Sequence, residues 1–101
     1  MSLISLTPDS FSGLVLSQPG PVIVDFYAQW CGPCQAFAPV VEAFAMAHPQ
    51  VQVCKADVDA LPEETARYGI QSVPTVLVFR DGEVVRRTVG GLSAAQLEAL
   101  L

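Results

Sequence analysis

Apolar and polar residues alternate along the chain in blocks that predict strands joined by helices. The block 22–28 is apolar and β-branched with one acid inside it, which is typical of a central strand buried on both faces. A helical pattern follows at 34–47, and a second strand is predicted at 51–57. Because a helix joins these two strands, we expect them to be parallel, with a right-handed crossover.

The remaining apolar blocks predict shorter elements on both sides of this unit. They are a first strand at 3–6, a helix opened by Thr7 and Pro8, a helix at 62–68, strands at 75–80 and 83–89, and a last helix at 93–101. The dipeptide Asp81-Gly82 between the last two strands is a strong hairpin signal. The sequence therefore predicts an α/β fold: a central mixed sheet with a parallel core and an antiparallel C-terminal hairpin, and helices on both faces.

Composition and charge narrow the class of protein. The chain has 101 residues, of which 51% are hydrophobic and 15% charged, so we expect residues 1–101 to fold as a single domain. The net charge of −5 argues against nucleic acid and anionic membranes as partners, because both need a basic patch. No segment is long and apolar enough for a membrane span, and residues 1–10 lack the features of a signal peptide. We therefore expect a cytoplasmic protein, and we expect it to be a monomer.

The motif Cys31-Gly32-Pro33-Cys34 lies where the predicted central strand turns into a helix. The first N–H groups of a helix are unpaired and carry partial positive charge, which favours a thiolate over a thiol at that position. Cysteines three residues apart in a helical turn are close enough to form a disulfide, and Pro33 stiffens the turn. We therefore predict that Cys31 and Cys34 alternate between a dithiol and a disulfide.

Metal binding is the alternative role for this pair. The spacing resembles that of a zinc site with the ligands Cys31, Cys34, His48 and Cys54. However, one predicted helix separates Cys34 from His48 by roughly 20 Å, whereas a zinc ion holds its ligands within about 2.3 Å. We therefore expect no metal, and we expect Cys54, in the middle of a strand, to be a small buried apolar residue.

Several segments of the chain resemble the thioredoxin family. Residues 24–34, with the sequence VDFYAQWCGPC, resemble its active-site segment, and residues 72–75 resemble its cis-proline loop. Residues 79–83 resemble its hairpin, and Val89-Gly90 matches the glycine-containing edge of its substrate surface. The likeness extends over essentially the whole chain in the right order, and Trp-Cys-Gly-Pro-Cys is far more specific than a bare pair of cysteines.

The resemblance implies a thioredoxin fold and a protein-disulfide reductase, a thiol–disulfide oxidoreductase that works through a mixed disulfide. Cys31 is implied to attack the target disulfide, and Cys34 is implied to resolve the mixed disulfide. Asp25 is implied to be a buried carboxylate that accepts the proton of Cys34, and burial is expected to raise its pKa. Lys55 is implied to lie near that acid.

The resemblance also implies a flat, mostly apolar docking surface for the substrate. Its residues would be Trp30, Gly32, Pro33, Val73, Pro74, Val89 and Gly90. Pro74 is implied to be cis and to lie against the disulfide, so that the backbone beside it pairs with an extended substrate segment. The implied partners are disulfide-containing proteins and a thioredoxin reductase, a flavin enzyme that uses NADPH to restore the dithiol. No bound cofactor is implied.

Two other functions are compatible with the sequence. The chain could be a binding module that docks partners through Trp30 and Pro74, with incidental cysteines. It could also be an oxidant or isomerase of an oxidising compartment. Against this last function, the Gly32-Pro33 pair resembles the reducing members of the family, whereas oxidising members usually carry a histidine between the cysteines.

Two positions near the motif depart from the family pattern. Tyr27 stands where many members carry tryptophan, and Gln35 stands where lysine or arginine is common. A nearby cation favours the charged form of a thiol. Because position 35 carries no cation, we expect the Cys31 thiolate to be slightly less favoured than in family members with lysine or arginine there.

Overall fold

The computed structural model describes residues 3–101 of the chain. Its strands are β1 (Ile4–Ser5), β2 (Pro21–Tyr27), β3 (Gln52–Asp57), β4 (Thr75–Arg80) and β5 (Glu83–Val89). Its helices are α1 (Gly32–Ala47), α2 (Pro62–Arg67) and α3 (Ala94–Ala99), with a short π-helix (Ser12–Leu16) before β2. None of the helices in this part of the chain is long and apolar enough to cross a membrane. Met1 and Ser2, with which the predicted domain begins, lie outside the described residues.

The strands form one mixed sheet in the order β1-β3-β2-β4-β5. β1 and β2 both pair with β3 in parallel, whereas β4 runs antiparallel to β2 and to β5. α1 and α3 pack on one face of the sheet, and the π-helix and the region around α2 pack on the other. The α/β class predicted from the sequence is therefore confirmed, including its parallel core and its antiparallel C-terminal hairpin.

β2 is the central strand, and its alternating side chains belong to two cores. Val24 and Phe26 are buried beneath the π-helix and the α2 region, whereas Ile23 is buried beneath α1 and α3. Both faces of β2 are buried, which explains why its sequence is apolar almost without interruption. Asp25 shares the face of Ile23, because side chains two residues apart point the same way, so its carboxylate lies on the side of the sheet that α1 covers.

The first helical segment is capped at Thr7, as the sequence pattern predicts, but its regular part begins later and is a π-helix. Thr7 and Pro8 precede it in a turn, and the π-helix starts only at Ser12. The Thr7 hydroxyl accepts a hydrogen bond from the N–H of Ser10 at 3.1 Å, and the Ser10 hydroxyl accepts one from the N–H of Thr7 at 2.9 Å. This reciprocal pair is the cap that the sequence predicts at Thr7, and the Thr7 carbonyl also accepts from the N–H of Phe11 at 3.1 Å, as in a helical turn. The first strand is also shorter than predicted, since only Ile4–Ser5 pairs with β3.

The C-terminal elements agree closely with the sequence pattern. β4 and β5 have the predicted bounds, and Asp81 and Gly82 join them with positive φ angles. Ser93 and Gln96 form the predicted capping box. The Ser93 hydroxyl accepts from the N–H of Gln96 at 3.2 Å, and the Gln96 side chain accepts from the N–H of Ser93 at 2.9 Å.

His48 links the end of α1 to α3 through both of its ring nitrogens. Nδ1 lies 3.1 Å from the carbonyl oxygen of Phe44, and Nε2 lies 3.0 Å from Oε2 of Glu98. Both partners are acceptors, so the ring satisfies both of them only when it is doubly protonated. These hydrogen bonds raise the pKa of His48, the bond to Glu98 more than the bond to Phe44.

Folding stability is expected to depend on the protonation of His48. The pKa of His48 in the folded state is raised above its ordinary value of 6.5. Protonated His48 therefore adds fully to the free energy of unfolding below about pH 6.5, and this contribution is lost as the pH rises through the pKa of the folded state. In Glu98→Gln, which removes the partner's charge, we expect this loss to be smaller. Urea unfolding of the wild type and of Glu98→Gln from about pH 6 to about pH 9 measures the difference between their free energies of unfolding. The contributions of the other titrating groups cancel in this difference. Parallel pH profiles for the two proteins would contradict the expectation.

Candidate active site

Cys31 and Cys34 lie at the N-terminus of α1, after the loop that follows β2. Cys31 is the N-cap residue, with an extended backbone, and its sulfur accepts a hydrogen bond from the N–H of Cys34 at 3.1 Å. The first N–H groups of a helix have no partner within the helix, so this terminus stabilises negative charge on the Cys31 sulfur. Pro33 lies in the first turn, where its missing N–H costs no helical hydrogen bond.

The two cysteines are joined as a disulfide, with their Cα atoms 5.2 Å apart. Both are buried, since only 5% of Cys31 and 3% of Cys34 is exposed. They differ in their surroundings, because Cys31 lines an open groove and Cys34 does not. The Cys31 sulfur also lies 3.6 Å from the carbonyl oxygen of Val73. A visiting sulfur can therefore reach Cys31 first.

Asp25 lies in the middle of β2 and is almost entirely buried. Its Oδ1 atom has no hydrogen-bond partner among residues 3–101. Burial raises the pKa of this carboxyl from 3.8 to about 7, against the opposing effect of the Lys55 charge. The group can therefore take up and release a proton near neutral pH, which suits a general base.

Lys55 lies opposite Asp25 in the parallel pairing of β2 and β3. Its charge favours the ionised form of Asp25 and thereby lowers the pKa of that carboxyl. The Lys55 ammonium lies over the ring of Tyr27, 5.6 Å from its centroid, in a cation–π contact. The influence of Lys55 on Asp25 therefore acts through its charge, across two adjacent strands.

A groove of about 470 Å³ lies beside Cys31. It is lined by Trp30, Gly32, Pro33 and Val73, which are among the residues predicted for the docking surface. It is also lined by Ser72, from the segment that resembles the cis-proline loop, and by residues that the sequence pattern does not mark, which are Val58, Thr65, Ile70 and Gln71. These follow β3 and surround α2, far from the cysteine motif along the chain. Their ordinary loop and helix composition gives no signal of a site.

The other residues assigned to the docking surface lie at the start of β4 and the end of β5. The Val73–Pro74 peptide bond is cis, and Pro74 is buried. The carbonyl of Pro74 accepts a hydrogen bond from the N–H of Gly90 at 2.8 Å, which holds these two segments together. Val89 is largely exposed and adds apolar surface at this edge. Val89 and Gly90 therefore border the site without lining the groove.

The residues of the alternative zinc site are not gathered in one place. Cys31 and Cys34 share a disulfide, and α1 continues through Pro39, so that His48 lies at its opposite end. Cys54 is buried on the sheet face away from α1, and burial raises the pKa of its thiol to about 12. Within the described range 3–101, no group of three or more His, Cys, Asp or Glu side chains is placed to hold a metal ion.

Ionisation of Asp25 is expected to destabilise the fold. Because its pKa rises from 3.8 to about 7 on folding, the free energy of unfolding falls as the pH rises through this interval and then levels off. Asp25→Asn removes the buried charge, so we expect it to be more stable than the wild type at about pH 8 by on the order of 3 kcal/mol, with little difference at about pH 4. Urea unfolding at both pH values tests this, and a stability difference that does not change with pH would contradict it.

Comparison with known proteins gives a result consistent with this geometry. A model of the thioredoxin family matches residues 2–101. A thioredoxin of Pseudomonas aeruginosa is 40% identical over 100 residues, which cover 98% of this chain and 93% of that protein. A thioredoxin of Allochromatium vinosum is 42% identical over 101 residues, covering 99% and 94%. One of Alicyclobacillus acidocaldarius is 50% identical over 82 residues, covering 80% and 78%.

The fold, the cysteine pair and these relatives agree on the chemistry. A mixed sheet carries a Cys-Gly-Pro-Cys disulfide at the start of a helix, where it can exchange with the disulfide of another protein through a mixed-disulfide intermediate. The chain is a thiol–disulfide oxidoreductase that reduces protein disulfides, with Cys31 and Cys34 as its redox-active pair. It belongs to the thioredoxin family.

Proposed function

We propose that Cys31 is the attacking cysteine of this oxidoreductase and that Cys34 is the resolving one. The observation that carries this assignment is that the Cys31 sulfur lines the groove and accepts the N–H of Cys34, so it is both reachable and stabilised as an anion. The Cys31 thiolate attacks one sulfur of the target disulfide. That bond breaks, and the other target sulfur leaves as a thiolate, which takes up a proton. A mixed disulfide then joins Cys31 to the target.

In the second step, Cys34 attacks the sulfur of Cys31. The Cys34 thiol gives its proton to Asp25, forms the bond to Cys31 and expels the second target sulfur as a thiolate. This thiolate also takes up a proton, so the target leaves as a dithiol, and two electrons have passed to it from the cysteine pair. The pKa of about 7 and the unpartnered Oδ1 atom within residues 3–101 support this role of Asp25. Lys55 adjusts it by favouring the charged carboxylate.

The substrate docks on a surface around the groove. This docking surface consists of Trp30, Gly32, Pro33, Val73, Pro74, Val89 and Gly90. The carbonyl of Val73 lies 3.6 Å from the Cys31 sulfur, so an extended substrate segment that pairs with this backbone brings its own sulfur close to Cys31. The exposed side chains of Trp30 and Val89 support a protein partner, since burial of apolar surface contributes roughly 25 cal/mol per Å².

The disulfide form needs two electrons before it can act again. A thioredoxin reductase, a flavin enzyme that uses NADPH, supplies them by reducing the Cys31–Cys34 bond, and the chain itself binds no cofactor. The thioredoxins among the relatives support this electron donor. The chain acts as a single-domain cytoplasmic monomer, and its net charge of −5 supports protein partners over nucleic acid.

The cysteine assignment predicts different behaviour for the two single variants. Cys34→Ser keeps the attacking thiolate but cannot resolve the adduct, so it is expected to accumulate a mixed disulfide with an oxidised protein such as insulin. Cys31→Ser lacks the reachable nucleophile and is expected to trap little. Non-reducing electrophoresis and mass spectrometry measure the trapped fraction, with Cys54→Ala added to both variants to remove the third thiol. Equal trapping by the two variants would contradict the assignment.

Lys55 is expected to set the pH at which Asp25 titrates. Lys55→Met removes the charge and keeps an unbranched side chain, so the pKa of Asp25 is expected to rise further. An NMR titration of the Asp25 carboxyl measures this in both proteins. Arg80→Met, which removes an exposed cation at the far end of β4, is the matched control and is expected to leave the titration unchanged. The coupling is refuted if Lys55→Met also leaves it unchanged.

A further inference from the structure

The side chain of Trp30 is 71% exposed, yet the N–H of its indole ring forms a hydrogen bond within the protein. Its indole Nε1–H donates to Oδ2 of Asp59 at 3.0 Å. An exposed ring gains little orientation from packing, so the hydrogen bonds around Trp30 have a large share in fixing where its face points.

A series of hydrogen bonds continues from Asp59 to α1. The N–H of Asp59 donates to Oδ1 of Asp57 at 2.9 Å, and Nε2 of Gln29 donates to Oδ2 of the same carboxylate at 3.0 Å. Nε2 of Gln35 then donates to the backbone carbonyl of Gln29 at 3.0 Å. The series therefore connects the Trp30 ring to the end of β3, the end of β3 to Gln29, and Gln29 to α1.

We propose that Gln29 and Gln35 are positioning residues that fix Trp30 for the docking of protein substrates. The inference rests on the docking role proposed for Trp30. Gln35 is bound to the cysteine motif at the same time, because its own N–H donates to the carbonyl of Cys31 at 3.1 Å. One residue of α1 thus holds both the start of the helix and the loop that precedes it.

The series requires a donor at each glutamine position. The Asp57 carboxylate has no proton to give, so the side chain that faces its Oδ2 atom must donate. The amide of Gln35 supplies a donor to a backbone carbonyl without placing a charge beside the cysteines. Each exposed hydrogen bond is weak by itself, but bonds in series restrict the loop before substrate arrives, which reduces the ordering that binding would otherwise require.

The expected effect depends on the size of the substrate. A protein disulfide covers the docking surface and must order Trp30, whereas a small disulfide such as hydroxyethyl disulfide reaches the Cys31 sulfur without covering it. For Gln29→Met and Gln35→Met, which keep the side-chain length but lack the donor, we expect kcat/KM for insulin reduction to fall about threefold to tenfold, through KM. The rate with the small disulfide is expected to stay within about twofold of the wild-type rate.

Trp30 is the single tryptophan of the chain, so its fluorescence reports on this position alone. In both glutamine variants we expect faster local depolarisation in time-resolved anisotropy, because the indole is less restrained. Gln50→Met makes the same chemical change at an exposed glutamine outside the series and is the matched control. It is expected to match the wild type in insulin reduction and in anisotropy.

A double substitution separates lost hydrogen bonding from general damage to the loop. Gln29→Glu places a carboxylate against that of Asp57, so we expect insulin reduction to slow and Trp30 to loosen. Asp57→Asn in the same chain supplies a donor toward position 29 while its oxygen still accepts from Asp59. The pair Gln29→Glu/Asp57→Asn therefore restores the bond in the opposite direction at unchanged net charge, and it is expected to recover the wild-type KM and anisotropy.

Trp30→Ala distinguishes failure of this inference from failure of the docking surface itself. If Trp30→Ala reduces insulin at the wild-type rate, the docking role fails and the inference falls with it. If Trp30→Ala slows the reaction while Gln29→Met and Gln35→Met keep the wild-type KM and anisotropy, the positioning role alone is overturned. It is likewise overturned if the glutamine variants slow insulin and the small disulfide equally, since the effect would then lie in the sulfur chemistry.

Discussion

The hydrogen bond from the N–H of Cys34 to the sulfur of Cys31 is the interaction on which the site depends. It exists because β2 leads the chain to the start of α1 with Cys31 as the cap, where the helix has donors without partners. The position of α1 is fixed in turn by burial of Phe37 and Phe44 against the sheet. The hydrophobic core thus determines the electrostatic surroundings of a sulfur atom at its edge.

The direction of β4 completes the site. Because β4 runs antiparallel to β2, its first residue, Thr75, pairs with Phe26 near the end of β2. The loop with the cis bond before Pro74 is thereby brought to the same end of the sheet as the cysteines, although it lies far from them along the chain. The Cys31 sulfur and the carbonyl of Val73 therefore lie close together because of strand pairing, not because they are neighbours in the sequence.

Features set by local rules could be predicted from the sequence, and features set by tertiary contacts could not. The apolar run of β2 and the capping box at Ser93 follow from periodicity and short-range hydrogen bonding. The cap at Thr7 was predicted correctly, whereas the π-helical form of the segment after it, with the N–H of Ser17 bonded to the carbonyl of Ser12, has no signal in the sequence. The wall of the groove around α2 was missed, since only the packing of that region against the motif makes it part of the site.

The groove is assembled from two separate parts of the chain. One wall, with Trp30 and Cys31, belongs to the loop after β2 and the start of α1, whereas the opposite wall, with Ile70 and Gln71, belongs to the segment between α2 and β4. Substitutions in that wall alter the shape offered to visiting proteins while the helix terminus around Cys31 keeps its hydrogen bonds. The choice of target proteins and the transfer of electrons can therefore change independently of each other in evolution.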